Sequence, residues 1–197
     1  MIDKAQNKCT SVHAGGWLTG LYESLNLSND ISEIMICYPT HDIEEKEFTV
    51  GKLHAVPFVY CIENTSDELE LGFLSLLQKY DPDVIHIHGS EFSYAFAMSN
   101  AAEKCNRLDR VVCSIQGMVS VYAYHYYASL PDSVARKKTL VERLKGTSLE
   151  RQKIDYEKRG LDEIMLLKKI KHVVGRTSWD RACTWIICGG SIMWREL

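Results

Sequence analysis

At 197 residues, 46% hydrophobic and 25% charged, the chain has the make-up of a soluble globular domain, which disfavours disordered, collagen-like and membrane-embedded classes. Its length suits one sizeable core and is short for two. A formal net charge of -3 offers nothing to a nucleic-acid backbone, so no nucleic-acid partner is expected.

Residues 1–14 are polar, lack an apolar leader segment and carry no strand pattern. Gly15-Gly16 then leads into a helix with Trp17, Leu18, Leu21 and Leu25 on one face. A glycine loop at a helix start lets backbone approach a phosphate, although two glycines there are also an ordinary turn. The spacing is not G-x-G-x-x-G, so a dinucleotide fingerprint is missing. Glu33–Tyr38 and Leu53–Cys61 read as strands. Thr65-Ser66-Asp67-Glu68 has the form of a capping box, and Leu69, Phe73, Leu76, Leu77 and Tyr80 form a helix stripe that stops before Pro82.

Asp81-Pro82-Asp83-Val84-Ile85-His86-Ile87-His88-Gly89-Ser90-Glu91 is the central stretch. It predicts a short strand buried on both faces, a turn, and an apolar helix through Phe96 to Ala102 that Ser90 caps. Such switches deliver polar groups to the crevice at the carboxyl ends of parallel strands, so His88, Gly89, Ser90 and Glu91 are placed on the lip of a site. His86 and His88 share one strand face, a spacing compatible with metal ligation, but no third ligand is evident and backbone-bonded histidines are commoner; no metal is expected. Glu91 reads equally as an acid favoured by the helix dipole or as a ligand contact.

Arg110–Ile115 is a further strand, ending at Gln116-Gly117. The aromatic run Val121–Tyr127 has no clear period, and Ser133–Lys169 is a long charged helical pattern interrupted at Gly146 and Gly160. Lys171–Gly175 is a strand, and Thr177-Ser178-Trp179-Asp180 starts a helix with Trp179, Cys183 and Ile186 on one face. The alternation of strand and helix predicts an α/β fold, a Rossmann-like parallel sheet flanked by helices.

Charge is unevenly spread: Arg136–Arg159 holds Arg136, Lys137, Lys138, Arg143, Lys145, Arg151, Lys153, Lys158 and Arg159 against four acids. With the preceding tyrosines this reads either as a solvated helical face or as contact with an anionic membrane surface. The 7 cysteines form no C-x-x-C pair, which predicts reduced thiols in a reducing compartment. A cytoplasmic protein is expected, peripheral at most to the inner face of the membrane.

Three segments taken together, Asp83–Glu91, Ser114–Gly117 and Gly175–Ala182, with Gly15-Gly16-Trp17 before them, resemble the N-terminal half of GT-B glycosyltransferases. The likeness is to bacterial members of glycosyltransferase family 4 that build surface polysaccharides, and it runs from about Ala14 to Ile187. It implies one half of a GT-B architecture, on the acceptor side, whose partner half holds most of the nucleotide-sugar donor. Carried over by position, Gly15 and Gly16 approach the donor diphosphate, His88 and Glu91 line the acceptor cleft, and Arg176 and Thr177 close its floor. Gln116 stands where many relatives have a histidine, which implies a hydrogen bond to sugar or acceptor. No catalytic residue is assigned.

Two departures shape the expectation. Lys4–His13 does not read as the buried strand that precedes the glycine loop in the family, and no donor-binding half follows Cys188. We therefore expect a single domain over 1–197 with the C-terminal donor domain absent. Its partners would be a nucleotide sugar, as co-substrate with no other cofactor, and a glycan or lipid-linked acceptor. The function implied is hexosyl transfer of the retaining type to a growing surface or capsular polysaccharide, incomplete in this chain alone. The alternative is a catalytically inactive remnant or interaction domain that keeps the fold; another Rossmann-like nucleotide enzyme is a weaker reading.

Overall fold

The computed structural model describes residues 16–60, 66–135, 142, 147–190 and 193–196. The chain divides into two compact units, residues 1–64 and 65–197.

In the first unit, α1 (Gly16–Leu27) is followed by β1 (Ile34–Thr40), β2 (Phe48–Val50) and β3 (Leu53–Val59). β1 pairs with β3 in parallel from Ile34↔Leu53 to Thr40↔Val59, placing Leu53, Ala55 and Val56 in the core. β2, too short to stand out in the sequence, runs antiparallel to β3. The two-residue turn between them starts at Gly51 with φ +61°, a left-handed conformation that costs glycine nothing.

The second unit is α/β, a Rossmann-like parallel sheet flanked by helices. It holds α2 (Ser66–Tyr80), β4 (Ile85–His88), α3 (Ser93–Lys104), β5 (Val111–Ser114), α4 (Val119–Tyr124), α5 (Asp132–Ala135), α6 (Leu149–Lys169), β6 (His172–Gly175), α7 (Ser178–Cys188) and β7 (Met193–Glu196). Strand order is β4-β5-β6-β7, and every neighbouring pair is parallel. Helical crossovers dictate this, because a strand that must return through a helix re-enters the sheet in the same direction. The core combines Ile85, Ile87, Val111, Cys113 and Val173 of the sheet with Ala95, Ala97, Ala101, Ala102, Leu166 and Leu167 of α3 and α6. β7 has no counterpart in the sequence reading; its Trp194 ring lies across Gly175, where a Cβ would collide with it.

Four local expectations are corrected. β4 is not buried on both faces: Ile85 and Ile87 are, but the His86 ring is only partly covered and His88 is half-buried. A period of two sends both imidazoles to one side, so the strand has an apolar face and a polar one. Ser90 does not cap α3, which begins at Ser93 behind Phe92 with no side-chain cap; Ser90 is buried elsewhere. The α7 stripe is turned outward: Trp179 and Ile186 are exposed, while Asp180, Thr184 and Cys188 are buried.

The fourth concerns Gly160, which does not interrupt its helix. It lies buried inside the continuous 21-residue α6, and a Cβ built there would sit 2.8 Å from Ser120 Cα. Its missing side chain is what lets α4 and α6 touch backbone to backbone. Gly160→Ala gains about 1 kcal/mol in helix propensity yet must push the helices apart, at about 1–3 kcal/mol. A net loss of stability is expected in urea titration; a stabilised variant would show that the approach is not tight.

Candidate functional site

The carboxyl ends of β4, β5 and β6 carry three loops. His88 ends β4 opposite Ser114 of β5, and Ser114 pairs in turn with Val174 of β6. The backbone then ties the loops together: Gly89 N donates to Ser114 O (2.9 Å) and Ile115 N to Val174 O (2.8 Å). Gly89 turns at φ +89°, and a Cβ there would lie 2.7 Å from Glu91 Oε2. Glu91 therefore folds back over Gly89 instead of extending along α3. Its Oε1 comes within 3.9 Å of the position a Cβ on Gly117 would occupy. From the third loop, the Arg176 guanidinium donates through Nη2 to Gln116 O at 2.9 Å.

His88, Glu91, Gln116, Arg176 and Thr177 thus lie at or just beyond the carboxyl ends of three neighbouring strands, and of these Arg176 and Gln116 are bonded to each other. Gly15 lies outside the described residues, as does Lys4–His13; Gly16 is the first residue of α1, in the other unit.

Beneath these loops lies a group that the sequence reading missed. Glu163 of α6 is fully buried, and both its oxygens accept hydrogen bonds. Ser90 Oγ donates to Oε1 at 2.6 Å. Ser120 donates to Oε2 through its backbone N at 2.7 Å and its Oγ at 2.5 Å. One carboxylate so clasps the β4–α3 loop to the start of α4, and Ser90 adds a bond to Gly117 O at 3.3 Å. The signal was present: Gly160, Glu163, Leu166, Leu167 and Ile170 recur at helical spacing, an acid within an apolar stripe. Four residues before it, Arg159 donates to Glu91 O at 3.3 Å and lies over the Phe92 ring at 5.7 Å.

The electrostatics follow from this placement. Burial pushes the Glu91 carboxyl above the usual carboxylate range; nearby backbone amides and Arg159 oppose this, while the Glu163 charge adds to it. One oxygen of Glu91, Oε2, is buried without a hydrogen-bond partner. Burial pushes His88 down to about 4, with the neighbouring His86 contributing; His86 is lowered by burial as well. The two rings lie 3.9 Å apart, and His86 Nε2 is 2.7 Å from Ser114 Oγ. Among the described residues no three His, Cys, Asp or Glu gather to hold a metal ion.

No protein-family model and no curated protein matches this chain.

In the third loop the start of α7 is already occupied. Arg176 N and Thr177 N both donate to Asp180 Oδ2 at 3.1 Å, and Asp180 N donates to Thr177 Oγ1 at 3.1 Å, a complete capping box. The amides of Arg176, Thr177 and Asp180 are thus bonded within the loop, while the guanidinium of Arg176 is exposed. The described thiols, Cys37, Cys105, Cys113, Cys183 and Cys188, are not in disulfides, and burial raises Cys113 beyond the range of a useful nucleophile. Among the described residues no helix is long and apolar enough to cross a membrane.

Two measurements probe this arrangement. Glu163→Ala removes the acceptor of Ser120 N and Oγ and the shorter of the two Ser90 Oγ bonds, and is expected to cost on the order of 3 kcal/mol in denaturant unfolding, whereas Glu163→Gln, which keeps one acceptor oxygen, costs about 1 kcal/mol; equal, small losses would mean that the clasp contributes nothing. The second is a pH titration of stability. Because folding depresses the His88 pKa from 6.5 to about 4, its stabilising contribution is present above pH 6.5 and is lost as pH falls toward 4. The unfolding midpoint of His88→Gln is expected to fall less steeply than that of the unaltered chain over this window; parallel profiles would place the histidine's environment elsewhere.

Proposed function

We propose that this chain is the acceptor-side unit of a sugar-nucleotide-dependent glycosyltransferase resembling family 4 of the GT-B enzymes. The observation that carries the reading is the placement of Glu91, Gln116 and Arg176 beyond the ends of three neighbouring strands, with the Arg176–Gln116 bond of 2.9 Å between two of them. Ligands of open parallel sheets bind at such strand ends, and the three residues belong to the sequence segments on which the resemblance rests.

Each group then has a task. Glycosyl transfer needs hydrogen bonds that orient acceptor hydroxyls and positive charge where the diphosphate leaves. Glu91 and the Gln116 side chain supply the former, with His88, kept neutral by burial, as a further hydrogen-bonding group. Arg176 supplies the latter: one nitrogen is anchored on Gln116 O, which aims the remaining donors, and a planar guanidinium matches phosphate oxygens in pairs. Thr177 holds α7 in place through Asp180 and keeps its own hydroxyl proton to donate. The diphosphate contact of Gly15 and Gly16 is carried by their sequence alone. A donor-binding half and a membrane-bound lipid acceptor complete the proposal, and put the protein at the inner face of the cytoplasmic membrane.

The test is transfer of radiolabelled sugar from a panel of nucleotide sugars to lipid-linked acceptors, by the chain alone and with any glycosyltransferase encoded beside it. Labelled product is expected in the paired reaction. Arg176→Ala should lower it on the order of tenfold or more and Arg176→Lys only partly rescue it. If no product forms and no nucleotide sugar raises the melting temperature, the enzyme reading fails and a fold-retaining interaction domain takes its place.

A further inference from the structure

Beside the loops, α4 and α7 each offer one aromatic side chain that the assignments above leave unused. Tyr122 is 46% exposed and Trp179 44% exposed, and their rings lie 14° from parallel with centroids 6.1 Å apart. Rings in full face-to-face contact would be separated by about 3.5 Å. At 6.1 Å the two rings do not cover one another face to face, and each keeps surface open to solvent. Tyr122 also borders Gly117: its Cε2 and hydroxyl lie 3.4 and 3.8 Å from where a Cβ would be, and Glu91 Oε1 lies 3.9 Å from the same point. Aromatic surface and carboxyl thus both border Gly117, as two sides of one notch.

We propose that Tyr122 and Trp179 form a stacking platform for a pyranose ring of the acceptor, with the Glu91 carboxyl hydrogen-bonding a hydroxyl of that ring. The choice of a sugar rests on the glycosyl-transfer reading. A pyranose presents a patch of C–H bonds on one face and hydroxyls round its rim, which is the pairing of surfaces this notch offers: flat polarisable rings beside an acid. The Glu91 oxygen on the notch side is Oε1, 3.9 Å from the Cβ position of Gly117, and it is the one placed to meet a hydroxyl. Carboxylate oxygens accept hydrogen bonds, and the hydroxyls round the rim of a pyranose supply the donors. A nucleobase would also stack on these rings, but leaves the acid beside the notch with less to bind than a ring bearing hydroxyls on every side.

Saturation-transfer NMR on the full chain with methyl glycosides of glucose, galactose and N-acetylglucosamine tests this, with uridine as counter-probe. Ring C–H protons of at least one glycoside are expected to receive saturation. Trp179→Ala and Tyr122→Ala should each weaken that binding on the order of tenfold, with unfolding midpoints confirming that both variants fold. Trp185→Ala is the control: Trp185 is 53% exposed on the same helix, but six residues on, about 240° further round, and its loss should leave binding unchanged. The platform is overturned if Trp179→Ala and Tyr122→Ala bind as well as the parent, if uridine displaces the glycoside, or if no glycoside binds while nucleotide sugars do, an outcome that spares the transferase reading. Glycoside binding that needs both rings, without nucleotide-sugar binding or transfer, keeps the platform and removes the transferase.

Discussion

A carboxylate taken out of water costs several kcal/mol unless donors replace its hydration shell, and Glu163 meets that demand with Ser90 on one oxygen and Ser120 twice on the other. The bonds require the start of α4 to lie directly against α6. That approach is possible because the residue one helical turn earlier is Gly160, with Ser120 Cα only 2.8 Å from where its Cβ would be. Glycine and acid act as one device: the first removes the steric barrier and the second uses the space. Losing either would release the Ser90 and Ser120 segments from one another, and with them the relative position of two of the three loops.

The chemistry of the crevice inherits this constraint. Ser90 is held from below, so Gly89 must turn through a positive φ, and the chain leaves the turn with Glu91 folded back over it. Glu91 then sits close enough to the Glu163 charge to feel it, while Arg159, on the same face of α6, holds the Glu91 carbonyl. The long helix therefore backs the site with alternating demands: an arginine that fixes backbone, a glycine that admits a neighbour, and an acid that clasps loops. An apolar residue at 163 would pack, but would leave the amide and hydroxyl of Ser120 without acceptors.

What could be read from sequence was what depends on local pattern. The strand-turn-helix at Ile85–Glu91, the parallel order of β4, β5 and β6, and the Thr177–Asp180 start of α7 all follow from periodicities and cap residues within a few positions of each other. Errors arose where a residue's partner is far away in sequence. Ser90 has the chemistry of a cap, but Glu163, 73 residues on, competes for its hydroxyl more effectively than the first turn of α3. Gly160 has the signature of a break and is a contact, because its reason lies in Ser120. The α7 stripe was legible as a stripe, but not its direction: the buried side is the one carrying Asp180, whose carboxylate accepts the amides of Arg176 and Thr177. Glu163 shows the same limit from the other side, an acid in an apolar stripe whose meaning depends on donors from two other segments.

The aromatic run from Tyr122 to Tyr127 illustrates how one compositional feature divides among tasks. Buried Val119 and Ala123 set the inward face of α4, which sends Tyr122 toward Trp179 and Tyr124 outward. Tyr126 is turned to α6 instead: its hydroxyl donates to Gln152 at 2.7 Å and its ring lies 5.2 Å from that of Tyr156. Tyr127 lies beneath Lys153, 5.8 Å from the ring centre. Among the described residues these side chains share no common face, and Tyr124, 84% exposed, stands apart from the rest. Tyr126 and Tyr127 are engaged against α6 in the packing that holds α4 in place, and α4 in turn keeps Ser120 against Glu163.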